Sequence, residues 1–178
     1  VNRPLLVALW IAALWAPAAA AQPAYSGQGI EMRVEPRTPE QISAFYEARG
    51  FPRAAVEALS KACFITVGIQ NRREDIVWLE PARWEFFDAA GQLIERLPRA
   101  YWEGRFVKLG VPPASRATFG WTQLPEVRDL RPAEPVGGNI TLVPVRGTFT
   151  LVARFATGSD RRGPVIVLRF DKLTCPGR

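Results

Sequence analysis

Histidine is absent from all 178 residues, and methionine occurs once, at Met32. Without histidine the chain has no Ser-His-Asp or Cys-His nucleophile system and no imidazole base, and it lacks the commonest ligand of zinc and copper sites. A single methionine likewise removes a methionine-rich copper site. Gly-x-Gly-x-x-Gly, P-loop lysine and EF-hand patterns are missing too, so neither a cofactor nor a metal is expected. Cysteine is limited to Cys63 and Cys175, with no Cys-x-x-Cys spacing to hold a redox-active pair. Basic residues occur singly or as pairs, such as Arg72-Arg73 and Arg161-Arg162, and never as a run interleaved with aromatics. Nucleic-acid binding is therefore not expected.

The N-terminal residues carry an address. Arg3 precedes an uncharged apolar run over residues 5–15, and Ala18 to Ala21 supply small residues for cleavage. This order predicts a signal peptide over 1–21. The apolar run is shorter than the roughly 20 residues a bilayer span requires, so no stable membrane anchor is expected after cleavage. A periplasmic or secreted location is expected instead. In such an oxidising compartment Cys63 and Cys175 should pair. Chain entropy assigns closure of so long a loop an upper value of about 4 to 5 kcal/mol.

Removing 21 residues leaves the length of one ordinary domain, which buries roughly 70% of the surface its unfolded chain exposes. The whole chain has 23 Lys and Arg against 17 Asp and Glu, a net charge of +6. Only Lys61, Lys108 and Lys172 among the basic residues are not arginine, a skew that a GC-rich genome explains.

Periodicity organises the rest. Residues 22–29 are small and polar, a flexible leader. Ile30, Met32 and Val34 alternate with charged residues, as on a half-buried strand. Thr38, Pro39 and Gln41 supply a helix cap, a first helical residue and a capping box. Gly50 ends that helix and Pro52 starts another, with Ala55, Val56 and Leu59 on one face, so 38–62 is a helical pair. From Cys63 the period returns to two. Strands are predicted at 63–69, 76–80, 83–88, 92–97, 115–123, 139–145, 147–157 and 163–173, with 124–138 a proline-rich loop.

This pattern predicts a mainly β chain: an immunoglobulin-like antiparallel β-sandwich with a short N-terminal helical pair inserted after the first strand, forming one domain over 30–178. The spacing from Cys63 to Trp78 echoes the Cys-to-Trp spacing of immunoglobulin domains, although Cys175 falls at the end of the chain and not on a penultimate strand.

Carboxylate pairs remain the only route to an enzyme, with Glu80, Glu85 and Glu103 as candidates, and surface charges are the simpler reading of all three. No enzymatic activity is expected. Asn139-Ile140-Thr141 matches a glycosylation acceptor, a pattern of little use to an exported bacterial-type protein. Aromatic residues are more distinctive. Trp84 with Phe86, and Trp121 with Phe119, share faces if extended and are expected in the core. Trp78 alternates out of phase with Val77 and Leu79. Tyr101, Trp102 and Arg105 lie in a segment that fits neither helix nor strand. Rings beside arginine are enriched at recognition surfaces, so Tyr101, Trp102, Arg105 and Trp78 are the candidate binding residues. The expected function is a non-catalytic exported interaction or accessory module, its partner another envelope protein. The alternative is a small-ligand or glycan binder using the aromatic and arginine surface.

Overall fold

Alternating apolar residues assemble two antiparallel sheets. The computed structural model describes residues 24–177; the predicted signal peptide lies outside them. The first sheet has the order β1 (Ala24–Gly27), β2 (Ile30–Pro36), β3 (Cys63–Asn71) and β7 (Pro135–Leu142). In the second, β8 (Thr148–Thr157) pairs along its length with β9 (Ile166–Thr174), near its start with β5 (Glu85–Asp88) and near its end with β4 (Val77–Leu79). The short β6 (Arg128–Leu130) extends β4. Four helices accompany the sheets: α1 (Pro39–Glu47), α2 (Arg53–Ser60), α3 (Arg99–Lys108) and α4 (Pro113–Thr122). The described residues are thus mainly β, with two antiparallel sheets and four helices. Among the described residues no helix is long and apolar enough to cross a membrane.

Two cores lie on either side of the first sheet. Ile30, Met32, Val34, Ile65, Val67 and Ile140 face the second sheet and meet Leu79, Trp84, Phe86, Leu151, Phe155 and Phe170. On the opposite face Phe64 joins Tyr46, Phe51, Leu59, Trp102, Phe106 and Phe119 of the helices. The start of β3 is therefore apolar at three successive positions, Cys63, Phe64 and Ile65, because both of its faces are covered there. Cys63 opens β3 in the first sheet and Cys175 follows β9 in the second. Their disulfide, with Cα atoms 5.6 Å apart, ties the two sheets together. Such a bridge is compatible with an extracytoplasmic location.

Several predicted elements take another form. Residues 115–123, expected as a strand, form α4. Phe119 and Trp121 share a face only in a strand; at helical pitch they point apart, so Phe119 is buried while Trp121 is 83% exposed. The helical spacing of Ser115 and Phe119, both buried, was the competing signal. Segment 92–97 contributes only isolated bridges, Phe87 to Leu93 and Arg96 to Leu142. The proline-rich stretch 124–138 contains β6 and the start of β7, since Pro135 stands at the first position of an edge strand, where no ladder donor is needed. Ala24 to Gly27, read as part of a leader, pair with Ile30 to Arg33. The helix cap at Thr38 forms as drawn: the hydroxyl accepts from Gln41 N at 3.2 Å, and Thr38 N donates to Gln41 Oε1 at 3.0 Å.

Replacing Cys63 or Cys175 by alanine should lower unfolding free energy by about 2 to 5 kcal/mol in urea titrations. Unchanged midpoints in the oxidised protein would refute a stabilising bridge.

Candidate functional site

The aromatic residues singled out in the sequence do not converge. Trp102 is 1% exposed, its indole N–H donating to Thr141 Oγ1 at 2.8 Å while that hydroxyl donates to Leu97 O at 2.7 Å. It stacks on Phe106, one helical turn along α3, so the segment is helical and this ring belongs to the core. Tyr101 packs edge-on against Trp102, and Arg105 lies exposed on the same helix. Trp78 sits in the second sheet. Its indole donates to Gly158 O at 2.8 Å and its face carries the Arg161 guanidinium at 4.0 Å, fastening the turn between β8 and β9.

The three candidate carboxylates are each committed to arginine. Glu80, buried, meets Arg83 at 2.6 Å and Arg161 at 2.5 Å; Glu85 meets Arg154 at 3.0 Å; Glu103 meets Arg116 at 2.5 Å. The Glu80–Arg161 contact is an ion pair whose angles do not make a hydrogen bond at Glu80 Oε1.

Polar groups do converge where the helical layer meets the outer face of the first sheet. β2 ends at Pro36, and Arg37 N donates to Phe64 O at 2.8 Å, which turns the chain off the sheet and lays α1 across its outer face. Along β3 and β7 that face continues as Thr66 opposite Asn139. After α4, Gln123 bridges to Asn139 and Leu124 N donates to Asn139 O at 3.0 Å. This crossing requires Gly138, because a Cβ there would collide with the backbone of Gln123 and Leu124. The result is a cleft of about 460 Å³ lined by Arg37, Gln41, Ile42, Phe45, Tyr46, Thr66, Thr122, Gly138 and Asn139.

Its hydrogen bonds form two relays. Arg37 Nε donates to Thr66 Oγ1 at 2.8 Å, and the Thr66 hydroxyl donates to Asn139 Oδ1 at 2.8 Å; Arg37 Nη1 also pairs with Glu35 at 2.6 Å. Tyr46 Oη lies 3.1 Å from Thr122 Oγ1. Thr122 spends its single hydrogen on Phe119 O at 2.8 Å, so the tyrosine is the donor. Burial pushes the Tyr46 hydroxyl up to about 12, against the neighbouring polar groups of Thr122, Asn139 and Gln123 and the charge of Arg49, which pull it down. Arg49 stacks over Phe45 at 3.4 Å and donates to Phe45 O at 2.8 Å.

Little in the sequence marks this cleft. Its wall comes from α1, β3, β7, the end of α4 and the residue after β2, with no local motif. Only the capping box at Gln41 and the pair Gly137-Gly138 mark its edges.

No family model matches the chain, and no curated protein matches it. Two solved structures resemble it. The yjhA protein of Bacillus subtilis is 12% identical over 74% of this chain and 76% of that one, with a TM-score of 0.42. The ycdA protein of the same species is 10% identical, with a TM-score of 0.46; the match covers 85% of this chain and 39% of that one. Likenesses at this level bear on neither ligand nor activity.

Trp102→Ala should cost about 3 to 5 kcal/mol in chemical denaturation, and Trp121→Ala less than about 0.5 kcal/mol. For Tyr46 the raised value means that the unfolded chain loses its phenolic proton first. Stability should then fall as pH rises from 10 to 12, by about 2 to 3 kcal/mol more than in Tyr46→Phe. Parallel alkaline unfolding curves for the two proteins would remove the buried hydroxyl from the account.

Proposed function

We propose that the chain is a non-catalytic exported binding module, periplasmic or secreted, that holds a small ligand in the cleft between α1 and the outer face of the first sheet. One observation carries the reading: polar side chains from separate elements converge beside the apolar wall of Ile42 and Phe45, in a volume within the range of small-molecule sites. The pairing of Glu80, Glu85 and Glu103 with arginines, in place of one another, supports a role without catalysis. For the architecture we favour an immunoglobulin-like sandwich. The disulfide between facing sheets supports it, as does Trp84 packed edge-on to Phe155 in the core between them.

A module for another envelope protein is the second reading, drawn from the outer edge of β9, where Val165 and Val167 are exposed. That edge is blunted. Arg169 and Asp171 pair on it, and Asp171 with Lys172 interrupts the register opposite Thr150, a bulge of the kind that deters strand addition.

Ligand-observed NMR with a mixed small-molecule library tests the cleft. Hits should bind the unaltered protein and be lost in Gln41→Trp, which fills the cleft from an exposed helical position. Hits that survive Gln41→Trp would place binding elsewhere.

A further inference from the structure

Hydrogen-bond bookkeeping within the cleft fixes which way its two amides point. Arg37 Nε can only donate, so Thr66 Oγ1 accepts from it and sends its one hydrogen to Asn139, which must present oxygen. The Asn139 NH2 group is thereby turned away from Thr66 and is left as a donor. Gln41 is fixed by the same logic. The Thr38 backbone N–H can only donate, so Gln41 gives it Oε1 and keeps its NH2 group unused. Arg37 spends Nε on Thr66 and Nη1 on Glu35, and Nη2 has no partner.

The acceptors tell the opposite story. Among the lining side chains, the oxygens of Gln41, Asn139, Thr66 and Thr122 are all engaged within the protein. Tyr46 Oη gives its hydrogen to Thr122 and lies fully buried. The cleft is therefore rich in free donors and nearly without free side-chain acceptors. Its charge leans positive, since Glu35 offsets Arg37 while Arg49 lies over the Phe45 wall.

We propose that the ligand presents a planar hydrogen-bond acceptor, a carboxylate or an amide carbonyl, on a small apolar body. The acceptor meets the NH2 groups of Gln41 and Asn139 and the free edge of Arg37, and the apolar body lies on Ile42 and Phe45. This rests on the cleft being the binding site, and it adds the chemistry the site selects. A donor-only head group makes none of these bonds and leaves the donors of Gln41, Asn139 and Arg37 to water, so it gains nothing over the solvated cleft.

The test uses isovalerate, isovaleramide and isoamylamine, which share a branched apolar body and differ in the head group, measured by ligand-observed NMR against the protein lacking residues 1–21. Isovalerate or isovaleramide should bind and isoamylamine should not. Preference for isovalerate identifies an anionic source, and preference for isovaleramide a neutral carbonyl. Gln41→Glu and Asn139→Asp keep the internal acceptor bonds to Thr38 and Thr66 but replace the free NH2 by a carboxylate. Each should weaken the acceptor-bearing probe by about tenfold, with unfolding midpoints confirming that both variants fold. Binding of isoamylamine as strong as that of the other probes, or affinities unmoved by both substitutions, would overturn the proposal while leaving a ligand cleft in place. No binding by any probe, together with no library hit lost in Gln41→Trp, would overturn the cleft reading as well.

Discussion

Strand β3 separates two hydrophobic cores, and the layers on either side take their positions from it. Cys63, Ile65, Val67 and Ile69 point toward the second sheet, whereas Phe64 points into the helical layer beside Trp102 and Tyr46. Because strand side chains alternate strictly, a slip of one residue would put Phe64 between the sheets and Cys63 under the helices, out of reach of Cys175. The disulfide and the Phe64 contact thus enforce the same register from opposite faces. The Thr141 hydroxyl, opposite Phe64 on β7, adds directionality by accepting from Trp102 and donating to Leu97.

The cleft is a consequence of how far that second core extends. Phe64 is covered by the helices; two residues along, on the same face, Thr66 is only half-buried, and beyond it stand Gly68 and Gln70. Where apolar cover stops, the polar groups of β3 and β7 must find partners, and they do so with Arg37 from the end of β2 and with the residues that follow α4. Gly138 admits the latter by leaving room for the backbone of Gln123 and Leu124. The geometry of this border comes from backbone crossings, which hold side chains more firmly than surface loops do.

Strands and caps were legible where the signal was local. The alternation of β2, β3, β8 and β9 and the capping box at Thr38 needed only neighbouring residues. The helices α3 and α4 were harder, because each buries only two residues, Trp102 with Phe106 and Ser115 with Phe119, and starts at a proline without a side-chain cap. With so narrow a stripe, Phe119 and Trp121 imitate the period of a strand. Trp102 next to Tyr101 and Arg105 imitated a recognition surface for a related reason: a large ring in a mostly polar segment marks either an exposed contact or the single anchor of a helix. Its deciding partner, Thr141, lies 39 residues away. The cleft was illegible because its residues come from elements as distant as Arg37 and Asn139.

Most of the ion pairs lie on partly exposed side chains, where such contacts contribute about 0 to 1 kcal/mol each. They cannot be what makes the fold unique, and the arginine-rich surface is best regarded as solvation. The directional polar interactions sit instead at the cleft border, where each amide is oriented by a donor that has no alternative. A site whose amides are already turned has less side-chain entropy to lose when it binds, so even a small acceptor can be recognised without reorganisation. That pre-orientation sets the cleft apart from the exposed edge of β9: the edge offers backbone groups to any strand that can pass its bulge, whereas the cleft presents donors in one arrangement and, in the proposed binding role, would select by chemistry.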